Sequence, residues 1–176
     1  MMANMDQVIP YGGFVPEIHV TAYVSKLACI IGNVRVGKQS SIFEHVVLKG
    51  DFGAVRIGAK VNVQSGTVVH TLEENDCVIH DEVTIGHNAI VHGCTLERGV
   101  TIGLGAIVMG RTSIGENTIV GAGSLIPQDK RIPARKLVLG RPARVIRDLR
   151  QDEFDEIRRV TNLYVEKGIK YKEAGL

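Results

Sequence analysis

A six-residue spacing of aliphatic residues runs through most of this 176-residue chain and restricts its fold more than any other feature. One unbroken run with this spacing comprises Leu96, Ile102, Val108, Ile114, Val120 and Ile126. Shorter runs with the same spacing cover Val24–Leu48, Ile57–Val69 and Ile79–Val91. A period of six fits neither an amphipathic helix nor simple strand alternation. It predicts a parallel β-helix of hexapeptide repeats, in which three short strands and their turns form one triangular coil of about 18 residues.

The composition agrees with a narrow, repetitive core. Hydrophobic residues make up 44% of the chain, yet aromatic residues make up only 5% and tryptophan is absent. Glycine often follows the periodic aliphatic residue, as in Ile102-Gly103 and Val120-Gly121. Because the inside of such a coil holds branched aliphatic side chains more readily than wide rings, we expect a mainly β fold.

The six-residue register breaks in three places. The spacing is nine residues at Leu48–Ile57, ten at Val69–Ile79 and five at Val91–Leu96. The first break predicts an outward bulge at Gly50–Gly53, and the second predicts a protruding loop at Thr71–Cys77. Excursions from a rigid scaffold often carry function, so these breaks are candidate places for a site.

The chain is interpreted as a single domain over residues 1–176, with the β-helix over about residues 12–140. Beyond the repeats, apolar residues recur at helical spacing, namely Phe154, Ile157, Thr161 and Tyr164. This pattern predicts a C-terminal α-helix over about residues 151–172, with Asp152 as its N-cap. We expect the apolar stripe of this helix to pack against the prism.

The charge balance favours neither a nucleic acid nor a membrane as a partner, since the formal net charge is only +2. Residues 130–150 are rich in Lys and Arg but contain no aromatic residue to stack bases, so this segment is interpreted as a solvated linker. No apolar run reaches the ~18 residues of a membrane span, and the first ten residues do not resemble a signal peptide. Three cysteines without CxxC spacing suit a reducing compartment, so we expect a cytoplasmic location.

Two histidines hold the same position in successive coils. His70 follows Val69 and His92 follows Val91, and they are 22 residues apart, which is one 18-residue coil plus the four-residue excess of the loop. They should therefore stack about one strand spacing apart, close enough to share a metal ion. Any one histidine alone is better explained as a polar surface residue, but the common register favours a metal site.

A third histidine, His87, belongs to a different face and cannot easily reach that metal within its own chain. In a threefold trimer, one face of a prism meets a different face of its neighbour. A metal between subunits could then take His70 and His92 from one chain and His87 from the next. We therefore expect a homotrimer with up to three shared sites. Imidazole ligands suit Zn²⁺, Fe²⁺ or Co²⁺, and three protein ligands with an open position are typical of catalytic zinc.

Several segments resemble the gamma-class carbonic anhydrases, within the left-handed β-helix superfamily of hexapeptide proteins. These segments are Leu48–Asp51, Asn62–Gln64, Thr67–His70, Ile85–Cys94, Val120–Leu125 and Gly140–Ala143. The resemblance implies a left-handed coil and a homotrimer. It also implies zinc or iron bound between subunits by His70, His87 and His92.

The resemblance assigns roles to further residues of the candidate site. Gln64 and Asn62 match residues that lie near the metal-bound water in the family, although side-chain amides also stabilise turns. Glu73 or Glu74 matches an acidic residue that exports protons, although both are equally well explained as part of a solvated loop. At the family's other proton-export position this chain has Phe52.

Two interface positions depart from the family pattern. The family has an Arg-Gly-Asp segment at its subunit interface, and here it reads Lys49-Gly50-Asp51. Lysine keeps the positive charge but lacks the planar, bidentate guanidinium. A second family carboxylate, five residues before the first histidine, is replaced by Ser65.

The sequence therefore predicts a metal-dependent carbonic anhydrase, in which hydroxide on the metal converts carbon dioxide reversibly into bicarbonate. Two other interpretations stay open. One is a coenzyme A-dependent acyltransferase or an acyl-CoA thioesterase, since acyltransferases share the repeat and the Gly-x-Pro-Ala ending. The other is a non-catalytic trimeric scaffold with a bound metal.

Overall fold

The computed structural model describes residues 7–176. The elements follow one another as β1 (Val8–Ile9), β2 (Glu17–Ile18), β3 (Tyr23–Val24), β4 (Cys29–Val36), β5 (Ser41–Ile42), β6 (Val47–Ile57), β7 (Asn62–Val63), β8 (Val68–His70), β9 (Cys77–Ile79), β10 (Thr84–Ile85), β11 (Ile90–His92), β12 (Thr95–Leu96), β13 (Thr101–Ile102), β14 (Ile107–Val108), β15 (Ser113–Ile114), β16 (Ile119–Val120), β17 (Leu125–Ile126), β18 (Arg131–Ile132), β19 (Lys136–Gly140), β20 (Ala143–Asp148) and α1 (Gln151–Glu173). Strands one coil apart pair in parallel, as the period predicts.

The strands form a triangular prism whose three faces are each lined inside by one aliphatic residue per coil. Face 1 is lined by Ile30, Leu48, Val69, Val91, Val108 and Ile126. Face 2 is lined by Val36, Ile57, Ile79, Leu96, Ile114 and Ile132. Face 3 is lined by Val24, Ile42, Val63, Ile85, Ile102, Val120 and Val138. The protein is therefore mainly β, a left-handed parallel β-helix of about 7 turns with a C-terminal helix.

All three register breaks fall at one corner of the prism, between face 1 and face 2. Residues 51–54 of β6 bulge there, because a single residue of β4 lies opposite them. Residues 71–76 form the predicted loop, closed by an antiparallel bridge. The side chain of Leu72 holds this loop down, since it occupies the space above Gly93 and Gly110 where any Cβ would overlap it.

Residues 130–150, predicted to be a solvated linker, instead contain β18, β19 and β20. Ile132 and Val138 continue the six-residue spacing beyond Ile126, so the prism extends through this segment. β20 then folds back antiparallel onto β19. The linker interpretation was wrong because the prolines and the mostly exposed cations obscured inward residues that still keep the period.

The helix α1 packs on face 3, over β3, β5 and β7. Its N-cap is Arg150, so the prediction that Asp152 is the cap is wrong. Asp152 lies inside the first turn, and the carboxylate of Glu153 accepts the hydrogen bond from the Arg150 backbone N–H at 2.8 Å. The start at Gln151 and the packing against the prism agree with the sequence.

Half of the eight aromatic side chains lie between the helix and the prism, and not inside the prism. Four rings with centroids 5.5 to 5.7 Å apart fill this space, namely Tyr23, Phe43, Tyr164 and Tyr171. Gly168 lets the helix approach face 3, since any Cβ there would overlap the side chain of Ser41. Within residues 7–176, no helix has both the length and the apolar character needed to cross a bilayer.

Candidate metal centre

Two of the three histidines stack at the corner where face 1 meets face 2. His70 ends β8 and His92 ends β11, and the two are register partners in adjacent parallel strands. Their ring centroids lie 5.2 Å apart and both side chains are partly buried. Lys49 is the register partner of His70 in the preceding coil. Lys49, His70 and His92 are named column A, and the stacking predicted from the spacing is present.

The carboxylate of Asp51 connects two members of column A. Asp51 Oδ1 lies 2.8 Å from His70 Nε2, and Asp51 Oδ2 lies 2.8 Å from Lys49 Nζ. Burial raises the pKa of the Asp51 carboxyl, but the hydrogen bonds from Lys49 and His70 outweigh it and hold that pKa below its usual value. Burial, and then the charge of His70, lower the pKa of His92. A low pKa favours the neutral imidazole, which is the form that binds metals.

The third histidine lies at another corner, where face 3 meets face 1. His87 comes two residues after the inward Ile85, and Ser65 and Glu44 hold the same position in the two preceding coils. Glu44, Ser65 and His87 are named column B. The hydroxyl of Ser65 donates to Glu44 Oε2 at 3.0 Å. Among residues 7–176, no three His, Cys, Asp or Glu side chains of one chain come together as a metal site.

Columns A and B stand at equal heights on either side of face 1. Each member of column B precedes its counterpart in column A by five residues, as the pairs Glu44 with Lys49, Ser65 with His70, and His87 with His92. Glu44 belongs to none of the sequence motifs described above. The signal that could have found it is this spacing, which is the same as that between His87 and His92.

The outer surface of face 1 is apolar. Its outward positions, which alternate with the inward ones, hold Cys29, Val47, Val68, Ile90, Ile107 and Leu125. Ile90 is 42% exposed. The outward positions of face 2 are mostly polar, namely Arg35, Arg56, Val78, Thr95, Ser113 and Arg131, and α1 covers part of face 3. An exposed apolar surface of this kind marks an association site.

Asn62 and Gln64 flank the inward Val63 on face 3, and both are buried. Asn62 Nδ2 donates to Thr84 Oγ1 at 2.8 Å, and Gln64 Nε2 donates to Asn62 Oδ1 at 3.1 Å. These bonds fix Gln64 directly beside Ser65, at the corner of column B rather than at the corner of column A.

The loop after β8 places exposed acids close in sequence to column A. Glu73 and Glu74 are the third and fourth residues after His70, and both are exposed. Phe52 is 62% exposed, and its ring centroid lies 5.8 Å from that of His70. At the family's second proton-export position this chain therefore has the apolar side chain of Phe52, next to His70.

Cys94 follows His92 by two residues but is packed away from solvent. It contacts Cys77, and both thiols are buried in the core. The hydrogen bond with Cys77, together with burial, raises the pKa of the Cys94 thiol well above its usual value. Because metals bind the thiolate, this thiol is unsuited to be a ligand.

Comparison with known proteins gives the family of the chain. No family model matches it. A protein of Geobacillus kaustophilus named carbonic anhydrase is 40% identical over 165 residues, which are 94% of this chain and 91% of that protein. Gamma carbonic anhydrase 2, a mitochondrial protein of Arabidopsis thaliana, is 35% identical over 156 residues, which are 85% of this chain and 56% of that protein. The chain belongs to the gamma-class carbonic anhydrase family.

Solved structures of the same fold include proteins with a transferase name. The crystal structure of a hexapeptide transferase family protein from Anaplasma phagocytophilum superposes with a TM-score of 0.90 at 37% sequence identity. The match covers 93% of this chain and 97% of that chain. Membership of the gamma-class family thus comes with relatives named both as anhydrases and as transferases.

Proposed function

We propose that this protein hydrates carbon dioxide reversibly to bicarbonate as a homotrimer. A divalent cation would be held between subunits by His70 and His92 of one chain and His87 of the next. The observation that carries the proposal is the equal height of columns A and B on either side of the apolar face 1. Rotation by one third of a turn, about an axis parallel to the prism, brings column B of one subunit to column A of another without a vertical shift. Burial of face 1 favours this association.

The donor set fits a cation of borderline softness. Two imidazoles with centroids 5.2 Å apart, together with a third from the next chain, offer three neutral nitrogens. Zn²⁺ accepts such a set and keeps an open position, and Fe²⁺ or Co²⁺ accepts the same ligands. When bound, the cation supplies the nucleophile by lowering the pKa of water to about 7, the value known for zinc in carbonic anhydrases. Asp51 orients the His70 ring through its hydrogen bond.

Gln64 and Asn62 orient the attacking water and the substrate. One amide N–H of Gln64 is bonded to Asn62, and this bond fixes the plane of the Gln64 side chain. Its carbonyl Oε1 can then accept a hydrogen bond from the attacking water. The hydroxyl oxygen of Thr84 accepts a hydrogen bond from the side-chain amide of Asn62. Asn62 and Gln64 are therefore positioned before the substrate binds.

Proton export completes the cycle, since each hydration releases one proton. Glu73 and Glu74 are exposed on the loop that follows His70, and they accept this proton and pass it to solvent. Phe52 has no titratable group, so it provides an apolar wall beside His70 instead of a second exit for protons.

Stopped-flow measurement of carbon dioxide hydration tests the proposal on protein of known metal content, loaded with zinc or, without oxygen, with iron. We expect His92→Ala to lose the metal and to lower kcat by at least about 100-fold. The control is His80→Ala, because His80 is exposed on a different corner and lies near Glu97. Background rates from a metal-loaded trimer of the unmodified chain would contradict the proposal.

Acyl transfer or acyl-CoA hydrolysis is the second candidate, favoured by the transferase name of the Anaplasma phagocytophilum relative. Acyl-CoA assays on the same metal-loaded and metal-free preparations separate the two candidates. Turnover of an acyl-CoA without metal supports transfer, and turnover only with metal supports a thioesterase. A metal-loaded trimer without either activity would be a scaffold.

A further inference from the structure

One charged residue of column B has no part in the metal centre. We infer that Glu44 of one subunit pairs with Lys49 of the next, and that this ion pair sets the vertical register in which the histidines meet. The inference rests on the trimer of the proposed function. It adds an interface partner for each of these two side chains.

The positions of Glu44 and Lys49 along the prism axis support this ion pair. Glu44 and Lys49 lie in one coil and are five residues apart, and His87 and His92 have the same spacing two coils higher in the prism. Any rotation about an axis parallel to the prism that brings His87 to His92 therefore also brings Glu44 to Lys49. Opposite charges then face each other below the imidazoles.

Both charged groups are also able to bind a partner in another subunit. The Ser65 hydroxyl holds the Glu44 carboxylate, and no Lys, Arg or His in the described part of the chain lies within ion-pair distance of it. The side chain of Lys49 is 40% exposed and is bonded to Asp51. An ammonium group has three donors, so Lys49 can bind a second carboxylate. Lys26, which precedes Glu44 in the same ladder, donates instead to the carbonyl of Gly175.

A shift of one subunit along the prism axis relative to the next would also bring mismatched side chains together. A slip of one coil in one direction would place Lys26 against Lys49, which brings like charges together. A slip in the other direction would place Glu44 against Ile31 and Leu104 against His92. Without a slip, Leu104, which is 57% exposed, meets the apolar Met109. Without a slip, opposite charges therefore meet at Glu44 and Lys49, and apolar side chains meet at Leu104 and Met109.

A double-mutant cycle on the trimer tests the pair in chelator-treated protein, with sedimentation equilibrium as the readout. We expect Glu44→Gln and Lys49→Gln each to raise the trimer dissociation constant by roughly tenfold to a hundredfold, since each trimer holds three pairs. The double variant should be no worse than the worse single variant. The control, Glu17→Gln, removes an exposed ion pair with Arg35 inside one chain on face 2 and should leave association unchanged.

A cross-linking experiment keeps the test decisive if the trimer is too tight to dissociate. A water-soluble carbodiimide joins a carboxylate to an amine only where the two are in contact. In trimers mixed from light and heavy isotope-labelled chains, we expect a Glu44–Lys49 peptide pair of mixed isotope mass. Additive single effects, or no such peptide pair, would overturn the ion pair while an active trimer leaves the proposed function standing. A chain that stays monomeric with metal bound would overturn both.

Discussion

Charge at column A depends on one carboxylate. The rings of His70 and His92 stack closely enough to repel each other if both were protonated, and Asp51 places a negative charge beside the first of them. Burial with the neighbouring His70 lowers the pKa of His92, so the second ring favours its neutral state. Asp51 thus orients one imidazole, while burial keeps the other neutral and able to bind a metal.

The orientation of His70 by Asp51 can be tested by substitution. Asp51→Asn removes the carboxylate that holds His70, so we expect affinity for zinc to fall by roughly tenfold to a hundredfold. Competition with a chelating dye measures this affinity without reference to activity. Asp155→Asn is the control, since Asp155 is exposed on α1 and accepts a hydrogen bond from the nearby Gln151. Unchanged zinc affinity in the Asp51 variant would show that the contact with His70 has no part in metal binding.

At the scale of one coil, two neighbouring glycines have different reasons to be there. A Cβ on Gly103 would lie 2.4 Å from the backbone nitrogen of Ala122 in the next coil. Gly105 has open space around it but a φ of +63°. The first position needs glycine for close stacking and the second for its left-handed backbone.

Their alanine variants should therefore differ in stability. We expect Gly103→Ala to lower the free energy of unfolding by about 3 kcal/mol or more, because neither backbone can move aside without opening the stack. Gly105→Ala should cost about 1 kcal/mol, the strain of a left-handed alanine. Denaturant unfolding of the two variants measures both, and equal losses would be inconsistent with stacking by backbone contact.

The start of α1 predicts a dependence of stability on pH. The hydrogen bonds from the Arg147 guanidinium and then from the Arg150 backbone N–H lower the pKa of Glu153 from 4.5 to about 2. Since the folded pKa lies below the unfolded one, this stabilisation is complete above about pH 4.5 and is lost as the pH falls towards 2. We expect Glu153→Gln to lower the melting temperature by a few degrees at pH 7 and to have no effect near pH 2.

Thermal scans across this pH range provide the measurement. Glu156→Gln is the matched control, because Glu156 pairs with Arg159 on the exposed surface of the same helix. Its effect should be smaller at every pH. If the melting temperatures of the Glu153 variant and the unmodified chain differed by the same amount down to pH 2, the ionised Glu153 carboxylate would not be what stabilises the start of α1.

For the molecule as a whole, the period of six was enough to predict the architecture. Each inward residue of a coil repeats the same local environment, so spacing alone located the faces, the break points and the stacking of His70 on His92. The interpretation of residues 130–150 failed because exposed cations and prolines conceal a pattern carried by few inward positions, such as Val138. The N-cap at Arg150 was missed because its partner is the side chain of Glu153, three residues away. Glu44 was missed because its proposed partner, Lys49, belongs to a neighbouring chain.

The proposed trimer depends on the apolar outer surface of face 1. Ile90→Glu places a charge at the centre of the outer surface of face 1, so we expect the trimer to dissociate into folded monomers that no longer hold the metal. Light scattering after size-exclusion chromatography measures the mass, and circular dichroism reports the fold. Val78→Glu introduces the same charge on face 2 and should leave the trimer intact. A trimer that survives the change at Ile90 would mean that face 1 lies outside the interface.

The bulge, the loop and the shortened passage share one edge of the prism, and the aliphatic columns inside continue past all three without a gap. The stability of the fold therefore depends on the stacked coils. The irregular edge can be lengthened or trimmed at little cost in folding stability. Relatives built on the same stack can thus differ along this edge without a change in the packed interior.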